Sequence, residues 1–197
     1  MGAIDLRDAY YSIKICPQDR KYLRFIWRNT LYQFTACPNG YAAGPRLFTK
    51  LLKSVYANLR AKGFLSVTYI DDSYLQGSTY DECLSNIICT RNLFTDLGFL
   101  VHPDKSVFIP QQHIVFLGFV LNSVTMTVSL TKDKTNFFFS SVKKFKGTCN
   151  NLFTIRNVAE LIGMLISYSV ALPLVMLYTR ILEREKAEAL VLAKGES

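Results

Sequence analysis

Two spacings of apolar residues alternate along the chain, one suited to strands and one to helices. Gly2-Ala3-Ile4 reads as the stub of a strand that ends at Asp5. Tyr22 to Trp27 and Leu31 to Phe34, aromatic and apolar runs around Arg28-Asn29-Thr30, predict a hairpin. The Gly- and Pro-marked stretch CPNGYAAGP then predicts a loop, and Pro45 opens a helix. In that helix Leu47, Phe48, Leu51, Leu52, Val55, Tyr56 and Leu59 recur at helical spacing, and Gly63 stands at its stop.

Val67 to Ile70 is an apolar and β-branched run that drives into Asp71-Asp72, and Ser73-Tyr74-Leu75 continues as a second strand. Thr79-Tyr80-Asp81-Glu82 has capping-box form and predicts a second helix with Leu84, Ile87, Ile88, Phe94 and Leu97 inward, closed by Gly98. Phe99-Leu100-Val101 is a further strand. Ile114 to Leu121 reads as one strand of another hairpin, paired with Thr125 to Leu130, and the pattern beyond Thr131 turns helical. With the Tyr22–Phe34 insertion set aside, the order is strand, helix, strand, strand, helix, strand. That is an α+β split βαβ, ferredoxin-like arrangement, an antiparallel sheet with two helices, followed by a small helical segment.

Asp71-Asp72 has a plain reading as a turn, because Asp hydrogen-bonds the local backbone and tolerates unusual dihedrals. The expected topology adds another. A strand–helix–strand crossover returns the chain in the same direction, so the first two core strands end at the same sheet edge. Asp5 ends the first, Asp71 ends the second, and the returning strand lies between them. Asp5, Asp71 and Asp72 are therefore expected to form a three-carboxylate cluster. Converging carboxylates repel one another unless cations neutralise them. All-oxygen ligation suits two Mg²⁺, with Mn²⁺ as a substitute, and such a pair serves phosphoryl transfer.

Composition narrows the partner. The 197 residues carry a net charge of +8 and are 50% hydrophobic, which excludes disorder and favours nucleic acid or a phospholipid surface. Five cysteines form no CxxC pair, and His102 and His113 complete no zinc pattern, so free thiols in an intracellular protein are expected. Leu161 to Tyr178 contains no charged residue and just reaches membrane-spanning length. Gly163, Ser167, Ser169 and Pro173 interrupt it, and two buried helices joined near Ala171–Pro173 describe it as well. The expectation is no membrane.

Five short motifs in order resemble those of the reverse transcriptases. Asp5-Leu6-Arg7-Asp8-Ala9-Tyr10-Tyr11-Ser12 looks like the first palm motif, and Cys37-Pro38-Asn39-Gly40 followed by Pro45 and Phe48 looks like the second. Tyr69-Ile70-Asp71-Asp72 looks like the third, Leu97-Gly98-Phe99 through Pro103-Asp104-Lys105 the fourth, and Phe116-Leu117-Gly118-Phe119 the primer-grip motif. The Tyr-Ile-Asp-Asp-Ser wording and the Leu47–Leu52 helix are most similar to DIRS-like, tyrosine-recombinase retrotransposons. The resemblance implies a palm over 1–130 with a partial fingers insertion at about 13–40, a helical thumb-like segment over 131–197, and fingers missing upstream of Asp5.

It also implies roles. Asp5, Asp71 and Asp72 would hold Mg²⁺, and Lys105 would protonate or steady the departing pyrophosphate, or else be an exposed turn lysine. The backbone of Leu6, Arg7, Asp8 and Ala9 would cradle the triphosphate. Tyr10 would exclude a ribose 2′-hydroxyl, with core packing as its plain alternative. Asn39 and Gly40 would line the nucleotide pocket, Asn39 standing where the family often has Gln. Phe116 to Phe119 would hold the primer end, and Lys132, Lys143, Lys144 and Lys146 would grip duplex phosphates. The aromatic and basic stretch Lys14 to Arg28 is equally a solvated sheet face. The implied partners are an RNA or DNA template with primer, deoxynucleoside triphosphates, and the rest of a retroelement polyprotein carrying RNase H, recombinase or integrase. Against the RNA-directed DNA polymerase stands a truncated remnant that only binds nucleic acid.

Overall fold

The computed structural model describes residues 1–146 and 154–195. The chain divides into two compact units, Met1–Ile114 and Val115–Ser197. The first contains β1 (Gly2–Arg7), β2 (Arg24–Trp27), β3 (Thr30–Gln33), α1 (Gly44–Ala61), β4 (Leu65–Tyr69), β5 (Asp72–Gln76), α2 (Tyr80–Asp96) and β6 (Leu100–Val101). Its main sheet has the order β4-β5-β1-β6, with β5 antiparallel to both neighbours and β6 antiparallel to β1. This α+β layout is the expected ferredoxin-like order, and it places the returning strand β5 between β4 and β1.

The core lies between this sheet and α1 and α2: Ile4 and Leu6 of β1, Leu75 of β5, Phe48, Leu52, Tyr56 and Leu59 of α1, and Ile87 and Phe94 of α2. Leu47 and Leu51, expected in the α1 stripe, are 43% exposed. Residues 48, 52, 55, 56 and 59 already fill the inward stripe, and 47 and 51 each lie one residue, about 100°, around the helix from it. In α2 the inward face carries Cys83, Asn86, Ile87, Thr90 and Phe94, while Ile88 and Leu97 are exposed. Polar residues fix that choice. The Asn86 side-chain amide donates to the carbonyls of Leu65 (2.8 Å) and Gln76 (3.0 Å), and Thr90 donates to the Asn86 Oδ1. Thr79 accepts from the Glu82 amide as the expected cap, while the Glu82 carboxylate reaches one residue further back than a capping box does, to the Ser78 amide.

The β2–β3 hairpin turns through Arg28-Asn29, both left-handed, as a two-residue type I′ turn requires. Its strands are exposed throughout; Phe25 stacks on Tyr32, and Arg28 lies over the Trp27 ring.

β7 (His113–Phe116) runs into the second unit, which holds β8 (Phe119–Asn122), β9 (Thr127–Leu130), α3 (Lys132–Lys146), α4 (Ile155–Ser167) and α5 (Val175–Gly195). The single strand expected over Ile114–Leu121 is broken at Leu117-Gly118, where φ is 50° and 75°. Two consecutive left-handed residues make a tight turn and cannot continue a strand. The apolar stretch from Leu161 to Tyr178 is likewise divided, with α4 ending at Ser167 and α5 starting at Val175. No helix among the described residues is long and apolar enough to cross a membrane. Cys149 and the side chains of Lys144 and Lys146 lie outside the described residues.

Candidate active site

Tyr69 and Asp72 close the β4–β5 hairpin, leaving Ile70 and Asp71 as its two-residue loop. Ile70 sits at φ 55°, a costly conformation for a β-branched residue, while its side chain packs partly buried against the core. Asp71 is thus in the turn, not at the end of a strand, and Asp72 is the first residue of β5. Asp5 also departs from expectation. It lies inside β1, which continues through Leu6 and Arg7 because β6 pairs with those two residues. The hairpin tip still falls beside it: Asp5 and Asp72 are register partners, and the Leu6 amide donates to the Asp71 carbonyl at 3.1 Å.

The segment after β6 folds back along β1. His102 donates its amide to the Asp5 carbonyl (2.8 Å), the Asp5 amide donates to Ser106 Oγ (3.1 Å), and Val107 pairs with Ala3. This delivers Lys105 to the acids, its Nζ 4.0 Å from Asp5 Oδ2, with the lysine largely exposed and the Asp5 side chain mostly buried. The Asp72 carboxyl is pushed above its usual range, first by burial, then by the charges of Asp71 and Asp5 and a hydrogen bond with the Asp5 side chain; Lys105 opposes these.

The three acids therefore share one electrostatic neighbourhood. Yet among the described residues no three His, Cys, Asp or Glu side chains are arranged to hold a metal ion. Like charges close up only around a proton or a cation. In this structure the Lys105 ammonium, 4.0 Å from Asp5 Oδ2, supplies such a cation. The donor set itself, carboxylate oxygens alone, has the chemistry of a hard-cation site for Mg²⁺.

Asp8, at φ 54°, turns the chain from β1 into the short 3-10 helix Ala9–Ser12. Arg7 and Asp8 form an exposed ion pair (3.3 Å), and Ala9 is buried. The Tyr10 ring meets the edge of Phe48 at 5.9 Å and lies against Gly44, where an added Cβ would stand 3.7 Å from it. Burial raises the Tyr10 hydroxyl, followed by the charge of Asp71, Cys37 and Tyr69. The ring thus packs on the core and also stands within the field of Asp71. Hydrogen bonds from Cys37 to Ile13 and from Ile15 to Thr35 bring the Pro38-Asn39-Gly40 loop to this end of the unit, where Asn39 and Gly40 are exposed.

In the second unit Phe116 ends β7, Leu117-Gly118 make the turn, and Phe119 opens β8. Lys132 and Lys143 are exposed on α3. Two site residues escaped sequence reasoning. Ser106 braces Asp5, its one signal being adjacency to Lys105. Ser73, beside Asp72, is fully buried and hydrogen-bonded to the Tyr56 hydroxyl, and nothing in its spacing marks it.

Residues 1–121 match the family described as reverse transcriptase (RNA-dependent DNA polymerase). Relatives include the Gag-Pol polyprotein of Koala retrovirus, 29% identical over 131 residues, 61% of this chain and 8% of the polyprotein. The Pro-Pol polyprotein of Simian foamy virus type 1 is 29% identical over 120 residues, 59% of this chain and 10% of that one. The chain thus spans a tenth or less of these relatives. Among solved structures, a foamy viral protease-reverse transcriptase in complex with double-stranded DNA aligns with a TM-score of 0.75 at 19% identity, over 93% of this chain and 30% of that one. The foamy viral protein in complex with an RNA/DNA hybrid gives 0.72 at 19% identity, over 95% and 24%. At such identity the likeness is one of fold.

Proposed function

This chain belongs to the reverse transcriptase family, and we propose from that premise that it forms the palm and thumb of an RNA-directed DNA polymerase. The observation that carries the reading is the arrangement of Asp5, Asp71 and Asp72 at one hairpin tip with Lys105 against Asp5. Asp5, Asp71 and Asp72 would hold Mg²⁺, which when bound activates the primer hydroxyl and neutralises the departing phosphates. Lys105 would supply a proton or a positive charge to the leaving pyrophosphate. The backbone from Leu6 to Ala9, with Asn39 and Gly40, would receive a deoxynucleoside triphosphate, and Tyr10 would stand beneath its sugar. Phe116 to Phe119 would hold the primer end, and Lys132, Lys143, Lys144 and Lys146 would lie on duplex phosphates.

In this reading residues 1–130 form the palm, with part of the fingers at about 13–40, and 131–197 the thumb. The element would be a retrotransposon of DIRS-like type, acting inside the cell with the rest of its polyprotein. A second reading, a nucleic-acid binder without catalysis, draws on the absence of a ready ligand set among the described acids. Primer extension with Mg²⁺ separates the two. Asp71→Asn keeps the carbonyl that Leu6 bonds and removes one carboxylate, so incorporation should fall by about 100-fold or more with primer–template binding retained. Incorporation equal to that of the unsubstituted chain would refute the metal role. No incorporation by either chain, with binding intact, would favour the binder.

A further inference from the structure

The sequence places Lys134 among the lysines of the thumb-like segment, but its ammonium is engaged within the second unit. Lys134 Nζ donates to the Leu117 carbonyl at 3.2 Å and lies over the face of Phe119, 4.2 Å from the ring centroid. It also stands 5.7 Å from the centroid of Tyr168, whose ring meets the edge of Phe138. The stem crosses Gly118: a Cβ there would fall 2.5 Å from Lys134 Cε and 2.6 Å from Nζ. Position 118 favours glycine for its φ of 75°, and a Cβ there would also displace the end of the Lys134 side chain. A cation on an aromatic face with a charge-assisted hydrogen bond beneath it is held, not searching for phosphate.

We propose that Lys134 is the positioning residue of the Leu117-Gly118 turn, fixing it in the shape that receives a primer 3′ end. The proposal rests on the reading of Phe116–Phe119 as the primer-holding segment. It separates Lys134 from Lys132 and Lys143, which are more exposed and carry no such bonds in this structure.

The test uses the full chain and two labelled DNA duplexes of equal length. One has a recessed primer 3′ end, and the other is closed at both ends by hairpin loops. The unsubstituted chain should prefer the recessed end. Lys134→Met, which keeps the stem, should weaken binding to the recessed duplex by about tenfold, the scale of one charge-assisted hydrogen bond. Affinity for the closed duplex and the salt dependence should stay unchanged, and Lys134→Arg should restore most of the preference. Gly118→Ala, which displaces the stem but keeps the charge, should reproduce the loss, and the double substitution should add little to either single one.

Equal weakening on both duplexes, with a salt slope flatter by about one unit, would make Lys134 a phosphate contact and overturn the proposal. Retained preference in Lys134→Met or in Gly118→Ala would overturn it as well, so the inference stays testable if one variant fails to fold. An unsubstituted chain that does not distinguish the two duplexes would instead overturn the primer-holding reading beneath it.

Discussion

Asp5 and Asp72 stand directly opposite each other on neighbouring antiparallel strands, and the charge of Asp5 helps to raise the Asp72 carboxyl behind burial and the charge of Asp71. Two acids at one register position destabilise a sheet when both are charged. Their placement sets a condition on the protein's response to protons and cations.

The Asp72 carboxyl is raised above its ordinary 3.8, so the folded chain holds this proton more tightly than the unfolded chain does. Its contribution to stability is then full below about pH 3.8 and is lost as pH rises, until the folded carboxyl has also ionised. Denaturation midpoints of the unsubstituted chain minus those of Asp72→Asn should fall across that window and level off above it. Near neutral pH, Mg²⁺ should raise the unsubstituted midpoint and raise that of Asp72→Asn less. A midpoint indifferent to Mg²⁺ would count against all three metal assignments.

Tyr10 has two partners, Phe48 beneath and the charge of Asp71 beside it. Tyr10→Ala should cost about 1–2 kcal/mol of stability through the lost ring contact. If the ring also lies under the sugar, the efficiency ratio of ribonucleotide to deoxynucleotide use should rise, because a rigid ring excludes by clash. An unchanged ratio together with lowered stability would leave Tyr10 a packing residue.

Tyr56 bonds Ser73 in full burial, one residue from Asp72. Burial also pushes the Tyr56 hydroxyl up, so it stays protonated at working pH. Tyr56→Phe strands the serine oxygen and should cost roughly 1–3 kcal/mol in urea unfolding. Adding Ser73→Ala should recover part of that loss, since removing both partners of a buried bond costs less than removing one. Additive losses would show that the two hydroxyls act separately.

Lys132 and Lys143 are exposed on α3, and Lys132 lies at its start. Replacing both with Gln should lower duplex affinity similarly for every sequence and flatten the salt slope by roughly two units. The readout is log affinity against log salt. A steep slope in the double variant would place the duplex elsewhere.

The order of the palm elements was legible because each apolar run has one spacing and a clear stop. Its hairpin joins Asp72 to Asp5 through topology alone. What escaped was decided by neighbours. Asp5 lies mid-strand because β6 pairs with Leu6 and Arg7, a contact no local pattern announces. Leu117-Gly118 breaks an apolar run that reads as continuous, because a leucine in a left-handed turn leaves no mark in composition. The inward face of α2 turns on Asn86 and Thr90, polar residues that a hydrophobic stripe assigns to solvent. In each case tertiary pairing prevailed over the local signal.

The Asn86 amide has one consequence for assembly. It reads two carbonyls at once, on Leu65 and Gln76, which face each other at the open end of the hairpin that carries Asp72 at its tip. A slip of one residue would turn the buried side chains of that hairpin outward and withdraw at least one carbonyl from the amide. The helix thus acts as a gauge for strand alignment, penalising chains that fold with the acids out of step. Asn86→Leu, of similar bulk and without donors, should leave a population of misaligned hairpins, visible as slow-exchanging second amide signals for Leu65 to Gln76.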